Sequence, residues 1–191
     1  WRRLRSGMLT TNFAEAGGFI RSQPSETAPD VQLHFVIGKL VDHGRKTVLG
    51  HGHSCHVCLL NPRSRGSIQL SGAKLSDPLK IDPNFFADER DVEDLVQGFK
   101  LTQKLMHSPA LSEICRQDLF TAQVCSDDDI RSILRERADT VYHPVGSCKM
   151  GVDEMAVVDA RLRVYGIRNL RVVDASIMPN VVNGNTNARS E

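Results

Sequence analysis

Val-Tyr-His-Pro-Val-Gly-Ser-Cys-Lys-Met-Gly occupies residues 141–151, and Val-Val-Asp-Ala-Ser-Ile-Met-Pro-Asn-Val-Val-Asn-Gly-Asn-Thr-Asn-Ala occupies residues 172–188. In the first stretch His143 precedes a proline, which disfavours helical backbone at the histidine and predicts an extended turn. The second leads from a short apolar segment through Asp174 into a turn rich in Asn and Gly. Together they supply a proton acceptor, a neutral hydrogen-bonding group and a backbone able to approach a planar ligand closely. These features indicate a redox site that acts on an alcohol.

The composition excludes several classes of protein. A chain of 191 residues can bury a sizeable core, and its formal net charge of +1 gives no sign of a polyanionic partner. No Lys/Arg cluster interleaves with aromatic residues, so we expect no nucleic-acid partner. No apolar run reaches the roughly 18 residues of a membrane-spanning helix, so no transmembrane segment is predicted. The five cysteines are odd in number, which favours reduced thiols over a disulfide framework.

The first half of the chain carries the strand signals. Asn61-Pro-Arg-Ser-Arg-Gly66 has the composition of a turn, and we expect it to join two of the strands in a hairpin, 54–60 with 67–70. The segments with the alternation or length of strands are residues 31–37, 54–60, 67–70 and 78–82.

The second half carries the helix signals. Asp88 and Ser126 are predicted N-caps, and Ser108 with Pro109 begins a short helix predicted to run through Ile114. Strands followed by helices predict an α+β fold, a mostly antiparallel sheet covered on one face by helices. The predicted apolar faces are Val92, Leu95, Val96, Phe99, Leu105 and Met106 in the first helix and Ile130, Ile133 and Leu134 in the last.

Two residues are candidates for alcohol chemistry. His143 is suited to remove the hydroxyl proton because the ordinary pKa of histidine is about 6.5. Asn185 offers a donor and an acceptor that do not titrate, and is able to hold the substrate oxygen. The alternative for Asn185 is an ordinary Asn-Gly turn.

The main competing signal is a cluster of three histidines and two cysteines in residues 51–58. Such a cluster is typical of a zinc site, but Cys-x-x-Cys occurs here only once and no second pair lies nearby. On a strand, Cys55 and Cys58 point to opposite faces, which opposes joint ligation. The acidic triplet at 127–129 is explained by the dipole of the helix that follows Ser126. We therefore expect no metal site.

These segments resemble the C-terminal signature of the glucose–methanol–choline family of flavin oxidoreductases. The most specific match is residues 143–151, and similar segments extend over nearly the whole chain: residues 10–19, 29–35, 63–70, 81–85, 170–179 and 184–188. The Gly-x-Gly-x-x-Gly turn that holds the FAD pyrophosphate in such proteins does not occur in the sequence. Gly17 and Gly18 are interpreted as turn glycines. We therefore expect a C-terminal part of a larger protein, inactive by itself.

The resemblance implies a substrate-binding domain in residues 1–143. It implies that residues 144–191 are a C-terminal segment returning toward an FAD-binding domain outside this sequence. His143 and Asn185 match the catalytic positions of the family, which has His or Asn at the second. The implied FAD contacts are Asp174, Ala175, Asn185 and Thr186.

The function implied by the resemblance is oxidation of the CH–OH group of an alcohol, of choline dehydrogenase type, with proton removal by His143 and hydride transfer to FAD. The alternative is a non-enzymatic α+β ligand-binding module derived from the same family. An aromatic content of 5% argues against an aromatic cage for choline. The expected partners are a small-molecule alcohol and the FAD domain. We expect a cytoplasmic location, with attachment to a membrane surface as the alternative.

A strand is also predicted at residues 170–173, where the run is apolar. The resemblance implies that its pairing partners lie outside this sequence. Exposed strand edges pair readily, so we also expect self-association through such edges.

Overall fold

Antiparallel strands and helices follow one another along the part of the chain that the structure describes, residues 10–40, 48 and 50–187. In this computed structural model the elements are β1 (Ala16–Ile20), β2 (Val31–Val36), β3 (Ser54–Leu59), β4 (Ser67–Leu70), β5 (Leu79–Asp82), α1 (Glu89–Met106), α2 (Pro109–Ser112), α3 (Asp127–Arg137) and a 3-10 turn (Ala175–Ile177). Unit 1 comprises Trp1–Leu59 and Glu93–Asp139, and unit 2 comprises Leu60–Val92 and Thr140–Glu191. The expected domain division at residues 143 and 144 stays a prediction.

Unit 1 is built on an antiparallel sheet in the order β1-β2-β3. Leu33 of β2 lies opposite Gly18 of β1 and Val57 of β3. Helix α1 packs on the face that carries these residues, since a Cβ added at Gly98 would lie 3.0 Å from Val57 Cγ2 and 3.3 Å from Val31 Cγ1. A glycine at this position lets the helix backbone approach the sheet closely. A helix on an antiparallel sheet confirms the predicted α+β class.

Helix α3 begins at the predicted cap. Ser126 Oγ accepts a hydrogen bond from the Asp129 N–H, and the Asp129 carboxylate accepts one from the Ser126 N–H, which forms a capping box. Arg131 donates two hydrogen bonds of 2.8 Å to the carboxylate of Glu93 in α1. Ile130 and Leu134 are buried, which shows that the predicted apolar stripe of α3 faces inward.

The cap of α3 gives a first prediction. Ser126→Ala should destabilise α3 by about 1 kcal/mol, because it leaves the Asp129 N–H without its acceptor. Hydrogen exchange of the α3 amides in the complete protein should accelerate about fivefold. The matched control is Ser108→Ala, because the Ser108 side chain makes no capping hydrogen bond to α2. Equal acceleration of exchange in the two helices would show that the capping box does not stabilise α3.

Unit 2 combines a two-stranded ribbon, β4 paired with β5, with the C-terminal segment. Gly66 leads into this ribbon, and a Cβ there would lie 2.2 Å from the Asp82 carbonyl oxygen, so the close backbone approach requires glycine. In the C-terminal segment, isolated bridges join Met150 to Val158 and Val158 to Val164. Val158 is fully buried between them.

The predicted hairpin between residues 54–60 and 67–70 is wrong. β3 pairs with β2, and β4 pairs with β5. In the turn that precedes β4, the N–H groups of Arg63 and Ser64 donate to the carboxylate of Asp91. Because a distant carboxylate binds these amides, the turn does not fold β4 back onto β3.

The prediction that residues 170–173 find their partners outside this sequence is also wrong. Arg171 bridges Arg163, and the Val172 N–H donates to the Leu162 carbonyl at 3.2 Å. These contacts lie within unit 2. The segment forms isolated bridges rather than a strand among the described residues, because each of its partners is itself in a loop.

Three smaller predictions are also wrong. Gly17 and Gly18 lie in β1 rather than in a turn, and a Cβ on Gly17 would lie 2.4 Å from the Leu33 carbonyl oxygen. Gly17 thus marks the close approach of two strands here. Helix α2 ends earlier than predicted. Leu105, expected on the apolar face of α1, is 44% exposed.

The five cysteines are thiols. Among the described residues, no helix combines the length and the apolar character needed to cross a membrane.

Candidate active site

The two stretches singled out in the sequence meet in unit 2. The Cys148 N–H donates to the Ser176 carbonyl at 3.0 Å, and the Met150 N–H donates to the Ile177 carbonyl at 2.8 Å. Gly146 makes the turn between His143 and this pairing with a φ of 87°, which favours glycine. The chain thereby places the histidine beside the Asn- and Gly-rich loop.

His143 contacts Thr186 rather than Asn185. His143 Nδ1 lies 3.1 Å from Thr186 Oγ1, and Thr186 is only 7% exposed. Because the hydroxyl binds Nδ1, the other ring nitrogen, Nε2, can bind a second partner. The sequence assigned Thr186 to the cofactor and did not anticipate this contact, because a separation of 43 residues leaves no local pattern.

Asn185 is exposed, and its side chain makes no hydrogen bond to His143 in the part of the chain that the structure describes. The preceding residue, Gly184, has a φ of 154°, and its N–H donates to the Val182 carbonyl at 2.6 Å. This tight turn leaves the Asn185 amide at the surface of unit 2. The catalytic role of Asn185 stays a prediction.

Asp174 caps the 3-10 turn. Its carboxylate accepts hydrogen bonds from the hydroxyl and, at 2.8 Å, from the N–H of Ser176. These hydrogen bonds, led by that of the hydroxyl, lower the pKa of Asp174. Ala175 follows at the first position of the turn, where an N–H has no acceptor within the helix. The carboxylate is thus held against Ser176.

Residues 61–65, here called the anchor turn, hold residues 180–186, here called the asparagine loop. Asn61 Nδ2 donates to Asn183 Oδ1 at 2.5 Å, and Arg65 Nη2 donates to Asn180 Oδ1 at 2.6 Å. Between them lies a cleft of about 370 Å³ lined by Asn61, Pro62, Arg63, Arg65, Asn180 and Val181. Sequence reasoning missed this contact, because residues 61–66 have only the composition of a turn.

The cysteine and histidine cluster at 51–58 is not arranged around a common point. Cys55 lies opposite Phe35 and Cys58 opposite Gln32, so the two thiols lie on opposite faces of the sheet, as predicted. Burial raises the pKa of both thiols, which disfavours the thiolates that bind metals. In the ranges that the structure describes, no group of three or more His, Cys, Asp or Glu residues could hold a metal ion.

Known proteins match the part of the sequence that contains these two stretches. A family model described as GMC oxidoreductase matches residues 62–190. The chain belongs to this family. Its helix-covered antiparallel sheet and its C-terminal segment are therefore parts of a GMC oxidoreductase.

The relatives show how much of such a protein the chain represents. It is 46% identical over 185 residues to an alcohol dehydrogenase [acceptor] of Pseudomonas putida, covering 96% of this chain and 34% of that protein. It is 42% identical to the mitochondrial choline dehydrogenase of Mus musculus, covering 98% of this chain and 32% of that protein. The solved structure of pyridoxine 4-oxidase from Mesorbium loti aligns with a TM-score of 0.83 and 30% identity, covering 91% of this chain and 35% of that one. The chain thus spans about a third of the length of the relatives it matches.

The residues of unit 2 fit one end of a flavin. The exposed Asn185 amide supplies a donor and an acceptor, as the polar edge of a flavin ring requires. The positive φ of Gly184 and the first N–H of the 3-10 turn provide backbone that can approach a ligand. The FAD contacts expected at Asp174, Ala175, Asn185 and Thr186 stay predictions.

Proposed function

We propose that the complete protein containing this chain oxidises the CH–OH group of an alcohol with FAD as its cofactor. Membership of the GMC oxidoreductase family and the names of the relatives support this reaction. The observation that carries the proposal is the contact between His143 and Thr186, because it joins the two stretches that the chemistry needs. FAD, when bound, supplies the acceptor for the hydride.

His143 is the general base of the proposed reaction. When Nε2 is free to accept the hydroxyl proton, Nδ1 carries the ring hydrogen and donates it to Thr186 Oγ1. In this tautomer, the hydrogen bond to Thr186 orients the imidazole ring. The imidazolium formed after proton transfer keeps the same hydrogen bond, so the ring need not move during the reaction.

Asn185 holds the substrate oxygen in this proposal. Its amide donates a hydrogen bond without titrating, so it does not compete with His143 for the proton. Asn185 is exposed and precedes Thr186 in the chain, so the amide lies on the same short loop as the hydroxyl that contacts His143. Asp174 and Ala175 contribute backbone contacts to the cofactor. A cytoplasmic location stays a prediction.

An anaerobic experiment tests the proposal. The complete protein is mixed without oxygen with choline, a primary aliphatic alcohol, benzyl alcohol or pyridoxine, and visible flavin absorbance is followed. We expect the bound flavin to lose its absorbance with at least one alcohol, at one equivalent of alcohol per flavin. A complete protein that binds no flavin, or whose flavin is unchanged by every alcohol, would contradict the proposal. The matched carboxylic acid of each alcohol is the control, because it has no carbinol C–H to give up as hydride.

A further inference from the structure

The anchor turn is rigid because a buried carboxylate binds it. Asp91, in the first turn of α1, is only 2% exposed. Its oxygens accept the Arg63 N–H at 2.8 Å, the Ser64 N–H at 2.8 Å and the Ser64 hydroxyl at 2.6 Å. A buried carboxylate with several donors is held in one geometry, since losing a donor would leave its charge uncompensated.

The guanidinium of Arg65 is fixed within the same turn. Its Nη1 donates to the carbonyl oxygens of Pro62, Arg63 and Ser64 at 2.7, 3.2 and 3.1 Å. Its Nη2 is left to donate to Asn180 Oδ1 at 2.6 Å. Arg65 therefore connects a rigid turn to the asparagine loop with a side chain that has little freedom of its own.

The asparagine loop carries Thr186, which contacts His143, and the neighbouring Asn185. Asn180 and Asn183, which the anchor turn binds, precede Asn185 and Thr186 within the same loop. Gly184 lies between them with a φ of 154°. Without the anchor turn, such a flexible residue would let Asn185 and Thr186 shift relative to His143.

We propose that Arg65 and Asn180 are positioning residues that set the asparagine loop in the register needed for catalysis. The proposal rests on the proposed function of His143 and Asn185. Asn61 and Asn183 form a second link of the same kind. Among the described residues, neither Arg65 nor Asn180 makes a hydrogen bond to His143, so their proposed effect passes through the position of the loop.

The test is a double-mutant cycle in the complete protein. Arg65→Ala and Asn180→Ala should each lower kcat about ten- to a hundredfold, because misplacing a reacting group by about 1 Å has an effect of this size. KM should change less than kcat, since a positioning residue acts mainly on the step in which His143 takes the proton. The double variant should be no less active than Arg65→Ala alone, because Arg65→Ala already removes the hydrogen bond that Asn180→Ala removes. Flavin content is measured from absorbance in every variant.

Two further readouts separate positioning from a general structural role. Hydrogen exchange of the amides in residues 180–186 should accelerate in both single variants, while exchange in α3 stays unchanged. Asn180→Asp keeps an oxygen that accepts from Arg65, so this variant should recover most of the turnover lost in Asn180→Ala. Arg168→Ala is the matched control, since the described residues offer Arg168 no hydrogen-bond partner.

Each outcome decides one of the two proposals. Additive losses in the double variant, or unchanged exchange in residues 180–186, would overturn the positioning role. Normal turnover in the Arg65 and Asn180 variants would overturn it as well, provided that His143→Ala is inactive. If His143→Ala itself turns over normally, the proposed function fails, whatever the other variants do.

Discussion

His143→Ala in the complete protein is expected to lower kcat by about 10²–10⁴-fold, because a positioned base acts mainly in the transition state. Substrate affinity should change far less, since the imidazole contributes little to ground-state binding. The measurement is steady-state kcat and KM, with flavin content determined from absorbance so that lost cofactor is not mistaken for lost chemistry. His107→Ala is the matched control, since His107 is exposed and lies in unit 1.

Asn185 variants extend the same experiment. Asn185→Ala should lower kcat less than His143→Ala does, because it removes a hydrogen bond but leaves the base with its Thr186 partner. Asn185→His should retain part of the activity, since the family resemblance implies either residue at this position. Normal turnover of His143→Ala with full flavin content would falsify the assignment of this histidine as the base.

Asp91→Ala is expected to have the largest effect on stability. Removing this carboxylate leaves the part-buried N–H groups of Arg63 and Ser64 without their acceptor, which should lower the free energy of unfolding by about 2–3 kcal/mol. Asp91→Asn should have a smaller effect, because the amide oxygen still accepts one hydrogen bond. Urea unfolding followed by circular dichroism measures the shift of the midpoint.

A second carboxylate in unit 2 provides the control for this prediction. Glu154 is exposed, and Glu154→Ala should leave the unfolding midpoint within experimental error. Equal midpoints for the Asp91 and Glu154 variants would show that the anchor turn does not depend on Asp91.

The sequence by itself determined the elements whose signals are local. Ser126 and Asp129 are three residues apart, so the start of α3 could be predicted from capping alone. The buried face of α1, including Val92 and Val96, follows from the helical period. The choice of His143 also came from sequence, through a motif in which each residue is close to the next.

Only the tertiary structure decided which distant segments meet. β4 pairs with β5 rather than β3, because Asp91 binds the amides of the preceding turn from 28 residues away. His143 contacts Thr186 from 43 residues away, and Arg65 reaches Asn180 from 115 residues away. Such contacts are made by hydrogen-bonding groups that have no partner within their own helix, strand or turn. Neither periodicity nor local spacing in the sequence predicts which of these groups meet. Local sequence could therefore single out His143 and Asn185 as candidates, whereas the fold decided which residues contact each other.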